Sequence, residues 1–163
     1  MRAESAKPQT ARGSFPIKLV PVEELKARCK EVHGRIARRA YEFYESRGRK
    51  SGEELRDWER AESELLSTVP VGFMQSDHTL ILDAAVPGFD AGHLQVGVEP
   101  RRITISGTRA RALGRSSRPL EIFRVVDLPL EVDPARTTAT LKCGILELVA
   151  PKAGAACAEA KAA

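Results

Sequence analysis

The side chains best equipped for bond chemistry in this chain are three histidines, His33, His78 and His93, and three cysteines, Cys29, Cys143 and Cys157. Their spacing serves neither metal binding nor nucleophilic catalysis. A structural zinc site is built from paired thiols or imidazoles at short fixed spacings, and no C-x-x-C pair occurs. His33 falls on a helical stretch with no cysteine or carboxylate set to orient it. His78 and His93 sit at strand ends, in turns. Ser116 and Ser117 occupy a loop, not the sharp strand-to-helix elbow that exposes a nucleophile. Gly88, Gly92 and Gly97 belong to a turn and a strand, and neither a Walker lysine nor a dinucleotide fingerprint follows them. The reading is of a protein that is not an enzyme and uses no cofactor or metal. Odd, scattered cysteines also argue against a disulfide framework and for reduced thiols in a cytosol.

What remains is the chemistry of backbone and apolar side chains. Residues 139–146 read as a strand, a glycine corner at Gly144 and a second strand. A third strand stops at Leu128-Pro129, and a fourth at Val86-Pro87-Gly88-Phe89. Strands at this spacing predict a β-sandwich. Unprotected strand edges suit such a fold to gripping other chains.

The chain has 163 residues, 42% of them hydrophobic but only 5% aromatic, so its core must be mostly Val, Ile, Leu and Ala. A formal net charge of +4 does not by itself call for nucleic acid. Arg2 and Lys7 have no apolar run behind them, so no signal peptide is expected. No stretch is long enough to span a membrane.

Residues 1–20 mix Pro, Ser, Gln, Thr and basic side chains without a period and predict a mobile arm. A helical period follows. Leu25, Cys29, Val32, Ile36, Ala40 and Phe43 fall on one face, with Pro21 at the start and Gly48 as the C-terminal cap. Ser51 and Glu54 form a capping-box signature for a second helix carrying Leu55, Trp58 and Leu65. The two should fold back as an antiparallel hairpin over 21–67. That hairpin is too small to be robust alone. Tyr44, Trp58 and Leu65 are its candidate contact residues, toward the sandwich, a second hairpin or a client.

Beyond Pro70 the period becomes two. Leu80, Leu82 and Ala84 alternate with Ile81, Asp83 and Ala85. Leu94, Val96 and Val98 alternate with Gln95, Gly97 and Glu99. Ile103 and Ile105, then 122–128, 139–141 and 145–149 continue the pattern. Turn residues separate the strands, and no helix intervenes. The fold class is therefore mainly β: an immunoglobulin-like antiparallel sandwich over 71–152, preceded by the α-helical hairpin. Residues 153–163, nearly all Ala, read as a disordered low-complexity tail.

Residues 71–152 resemble the α-crystallin domain of small heat-shock proteins. Val86-Pro87-Gly88-Phe89-Asp90 is similar to that family's Pro-Gly-Phe turn, and 102–107 to its L-x-I-x-G strand. Residues 122–129 are similar to F-x-R-x-F-x-L-P, with Ile122 and Val126 in place of the aromatic residues. Residues 139–146 fit A-x-x-x-x-G-x-L, and Pro151-Lys152 the closing Pro-Lys. Around Arg38, Arg39 and Trp58 the hairpin resembles a short bacterial domain of unknown function.

The resemblance implies an ATP-independent holdase that keeps partly unfolded client proteins from aggregating and assembles as a homodimer or larger homo-oligomer. It implies a client groove between two strand edges, lined here by Leu94, Val96, Val98, Ala139 and Leu141, and a dimer-interface role for Arg124. The family's Ile-x-Ile tail motif is missing from 153–163. The 108–119 segment is short for a swapped strand and carries four arginines. Cys143 stands before Gly144 where Asn or Asp is usual. An adaptor that binds one folded partner is the alternative. A nucleic-acid role through the arginines of 101–118 is a further one, although neither nucleic acid nor membrane is the expected partner.

Overall fold

The computed structural model describes residues 15–109 and 120–154. Two helices precede a sandwich of two antiparallel sheets. Helix α1 is Val22–Ser46 and α2 is Glu54–Leu65. The strands are β1 (Phe15–Pro16), β2 (Val71–Gln75), β3 (Thr79–Ala85), β4 (Leu94–Glu99), β5 (Arg102–Arg109), β6 (Leu120–Asp127), β7 (Thr138–Lys142) and β8 (Ile145–Pro151). One sheet has the order β1-β7-β8-β3-β2, the other β4-β5-β6. The core between them is aliphatic, built from Leu80, Leu82, Val96, Ile103, Ile105, Ile122, Leu146 and Leu148 among others. β2 lay hidden in the sequence reading: it pairs with β3 across a turn at 76–78, and its own side chains are mostly exposed.

α1 follows from its apolar stripe. Leu25, Val32, Ile36 and Phe43 are buried at helical spacing. Glu23 and Glu24 lie in its first turn, where the macrodipole favours negative charge. Gly48 ends the helix at φ +82°, and the Arg49 N–H donates back to the Tyr44 carbonyl at 3.0 Å. α2 begins at Glu54, two residues later than the capping-box signature at Ser51 suggested. Ser51 caps nothing, and the Glu54 carboxylate instead accepts the Gly52 N–H at 2.9 Å. That backbone donor holds the Glu54 carboxyl below the usual carboxylate range.

The hairpin does not stand free. It lies on the outer face of the three-stranded sheet and makes a third layer. The residues beneath it are small: Gly97, Thr104 and Ser106 are all buried on that face. A Cβ on Gly97 would clash with the Leu25 Cδ1, so the missing side chain leaves the room that Leu25 fills. Phe123 packs into the hairpin's own core of Val32, Ile36, Phe43 and Ala61. A two-helix hairpin that could not bury its apolar face alone thus uses the sheet to do so.

Residues 15–20 correct the expectation of a mobile arm over 1–20. Phe15 and Pro16 pair with β7, and Ile17 is only 6% exposed. Residues 1–14 lie outside the described part. At the other end, the Ala153 N–H donates to the Glu131 carbonyl at 2.9 Å, and 155–163 lie outside the described part.

β7 and β8 are joined by a two-residue turn, Cys143-Gly144, with φ of +50° and +76°. Both central residues are left-handed, the geometry that favours Asn-Gly. A thiol does not brace that conformation, and a β-carbon is strained in it. Cys143→Asn should therefore raise the unfolding free energy by about 0.5–1 kcal/mol, seen as a higher denaturant midpoint at constant slope. An unchanged or lower midpoint would refute this account of the turn.

Candidate functional site

The candidate site is a rim of the sandwich. β4 is one edge of the three-stranded sheet, and β7 faces it from the five-stranded sheet. Strand alternation sends Leu94, Val96 and Val98 inward from β4, and Ala139 and Leu141 inward from β7. All five are buried and belong to one packed cluster. Two strand edges at such a rim leave backbone donors and acceptors that need partners.

The partners come from the chain itself. Residues 15–20, here called the strap, cross from β7 to β4. Phe15 aligns with Leu141 and Pro16 with Thr140. The Ile17 N–H donates to the Ala139 carbonyl at 2.8 Å. Leu19 forms a parallel bridge with Val96, and the Val20 N–H donates to the Val96 carbonyl at 2.9 Å. Ile17 joins the same cluster as the five rim residues, and Leu19 packs against it. Phe15, Ile17 and Leu19 are spaced by two, as one face of an extended strand requires. The signal was present in the sequence, but Pro16, Pro21 and a length of six residues masked it.

Immediately after the strap, α1 is tied to β6 by charge. Glu121 is 5% exposed, and its Oε1 accepts from Arg28 at 2.5 Å and from Arg35 at 2.6 Å. Arg28 also reaches the Thr108 hydroxyl at 3.1 Å and Glu31 at 3.0 Å. A buried carboxylate needs such company, because desolvation of an unpaired charge is costly. Glu121 was not singled out in the sequence: it sits beside Ile122 in a strand, and its arginines are 86 and 93 residues away.

The remaining candidates are dispersed. Arg124 is exposed on β6, the outer strand of its sheet, and makes no ion pair among the described residues. Trp58 and Leu65 are half-buried against the hairpin core. Tyr44 is half-buried, with the Arg47 guanidinium over its ring at 5.3 Å. Asp57, nearly buried, holds that guanidinium at 2.7 Å and raises its pKa further. Ala37, Ala40, Tyr41, Tyr44 and Trp58 line a shallow apolar cleft on the hairpin.

His33 does have a cysteine neighbour, contrary to expectation: the Cys29 Sγ lies 3.9 Å from its Nε2. The i,i+4 spacing of one helix produces that contact, and the ring edge rests on Trp58. No carboxylate joins the pair among the described residues, and no group of three or more metal-ligating side chains forms there. Cys157, Ser116 and Ser117 lie outside the described residues. Of the arginines in 101–118, Arg102 pairs with Asp127 at 2.9 Å and Arg109 bonds the Gly88 carbonyl. No helix of the described residues is long and apolar enough to cross a membrane.

A model of the Hsp20/alpha crystallin family matches residues 73–162. The chain belongs to that family. The family is that of the small heat-shock proteins. A second model, for a protein of unknown function (DUF2934), matches residues 31–67, which lie in the hairpin. Among solved structures, the Del-C4 mutant of hsp14.1 from Sulfolobus solfatataricus P2 is 24% identical, covers 57% of this chain and 82% of that one, and superposes with a TM-score of 0.50. The hspA of Xanthomonas axonopodis is 25% identical over 52% of this chain and 93% of its own, with a TM-score of 0.43. Heat shock protein 16.0 from Schizosaccharomyces pombe is 21% identical over 53% and 68%, with a TM-score of 0.47.

If the strap fills the rim, it must compete with any added segment of the same kind. A labelled peptide Phe-Pro-Ile-Lys-Leu-Val should bind the double variant Ile17→Ser, Leu19→Ser at least about tenfold more tightly than the unaltered chain. Equal binding to both would show that the strap does not occupy the site in solution.

Proposed function

We propose that this protein is an ATP-independent holdase that binds partly unfolded chains at the β4–β7 rim and limits their aggregation under stress in the cytoplasm. One observation carries the reading: an extended segment with apolar side chains at every second position already lies in that rim, hydrogen-bonded to both edges. A client that has lost its fold exposes the same two things, alternating apolar side chains and unpaired backbone. Leu94, Val96, Val98, Ala139 and Leu141 are the proposed client-contact residues. Their identities discriminate little among apolar sequences, which suits a binder of many clients.

Neither metal nor nucleotide enters the proposal. Binding energy comes from buried apolar area and from strand pairing, and release follows when the client refolds or passes to another binder. The building block is proposed as a homodimer that meets at the outer strand β6, with Arg124 at the contact, and larger particles form from it. The hairpin supplies the covered outer face of the sheet, and Tyr44, Trp58 and Leu65 contribute contacts on that side.

A second reading is an adaptor for one folded partner. The apolar cleft of Tyr41, Tyr44 and Trp58 favours it, because a shaped cleft can take a folded surface in a way that a strand rim does not. Purified protein should suppress light scattering from a heated model enzyme at near-stoichiometric ratio without nucleotide, and Val96→Asp should remove at least half of that effect. Full aggregation at several-fold excess of the protein would sink the holdase. A single dominant partner in a pull-down from heated cells would favour the adaptor.

A further inference from the structure

Strap and hairpin are one continuous unit. Val20, the last residue of the strap bonded to β4, is separated from the first residue of α1 by Pro21 alone. Leu25, one turn into the helix, sits directly over Gly97, beside the Val96 that holds Leu19 and Val20. Farther along the same face, Arg28 and Arg35 converge on Glu121. Leu25, Arg28, Val32 and Arg35 are spaced by three or four, so one stripe of α1 makes every one of these contacts or packs beside them. Any movement that lifts this stripe off the sheet pulls on Val20.

The strap by itself has little to hold it. It makes one two-residue ladder, one bridge and the two hydrogen bonds from Ile17 and Val20. Lys18 is exposed and Phe15 is more than half exposed. Short segments of this kind open locally without global unfolding. The hairpin, in contrast, is held by a buried carboxylate shared between two guanidinium groups and by Phe123 in its core. Both guanidinium groups meet the same carboxylate oxygen, so Glu121 is the buried counter-charge they share, while Glu31 also pairs with Arg28. The Arg35 Nε is buried without a hydrogen-bond partner beside this cluster.

We infer that the helical hairpin is the latch of the client rim. Glu121, gripped by Arg28 and Arg35, holds α1 on the outer face of the three-stranded sheet, and α1 through Pro21 holds the strap between β4 and β7. Undocking the hairpin vacates the rim and uncovers Gly97, Thr104 and Ser106 on the sheet's other face in the same event. The closed chain then has a low affinity for extended segments, because only the small open fraction can take one. This rests on the holdase reading for its purpose, but the latch is measured on the chain alone.

Amide hydrogen exchange on the full chain tests it. Glu121→Gln removes the charge and leaves the side chain's size nearly unchanged. It should speed exchange at Ile17 and Val20 by at least about tenfold, in step with α1 amides near Arg28 and Arg35. Exchange at Leu82 and Leu148 in the central strands should stay unchanged. Ile17→Ser should free the strap amides while leaving α1 protected, which gives the direction of control. Faster α1 exchange with Ile17 and Val20 still protected would overturn the latch, as would no change at either in Glu121→Gln. If Glu121→Gln also loosens Leu82 and Leu148, Arg35→Gln, which keeps Arg28 on the carboxylate, is read by the same criteria. A holdase that fails its aggregation test while the exchange pattern holds would leave a latch over a rim with a different guest. The reverse pattern would leave a holdase without this latch.

Discussion

Everything in this structure depends on what becomes of two strand edges at one rim of the sandwich. A sheet that ends exposes N–H and C=O groups, and an apolar sandwich rim exposes side chains beside them. Natural folds blunt such edges with charge, bulges or cover. Here the cover is six residues of the same chain, 15–20, running from β7 to β4 and satisfying both sides. The cover is matched in kind to what it hides: extended backbone on extended backbone, with Ile17 and Leu19 on an aliphatic floor. A rim closed by a like segment is also one that a like segment can reopen.

The second dependence is between the layers. α1 is amphipathic enough to need a surface, and the three-stranded sheet has an outer face small enough to supply one. Gly97, Thr104 and Ser106 are what make the approach close, while Glu121 and Phe123 provide the charge and ring that fix its register. Several hairpin cations are engaged: Arg28 and Arg35 on Glu121, Arg39 on Glu42 and Glu64, Arg47 on Asp57. The Arg39–Glu42 pair is a helix-surface contact at i,i+3 and contributes little. The Glu121 cluster differs because it is desolvated and crosses between two layers. Part of the hairpin's basic surface is therefore a docking face.

The sandwich was legible in the sequence because its strands alternate cleanly and are separated by Pro and Gly. The hairpin was legible for the matching reason, a sustained helical period with a glycine stop. What escaped was whatever depends on distant pairing. The strap alternates Phe15, Ile17 and Leu19, but six residues interrupted by Pro16 and ended at Pro21 do not establish a period, and the strands they pair with, β7 and β4, lie far along the chain. β2 escaped for a similar reason: an edge strand buries little, and Phe73 and Met74 remain 44% and 62% exposed. Glu121 looked like any polar residue of a half-buried strand until two arginines from another layer closed on it. The neighbouring Cys29 and His33 show the opposite case, in which local spacing alone places two groups together and was passed over.

The energetics of the strap explain why it needs the rest of the chain. Burying Ile17 and most of Leu19 is worth roughly 1.5–3 kcal/mol each, and the hydrogen bonds of Ile17 and Val20 about 1 kcal/mol apiece. Fixing the backbone of six residues costs about 1–2 kcal/mol per residue. The two sides cancel to within a few kcal/mol, so an isolated strap would sit on this rim only weakly. Attached to α1, it does not have to find the rim, since Pro21 delivers Val20 to β4 whenever the helix is docked. The cost of ordering is then shared with a helix that is ordered anyway, and a marginal contact becomes a steady one. A segment held by its neighbour rather than by its own contacts can fill an apolar rim fully and still leave it when that neighbour moves.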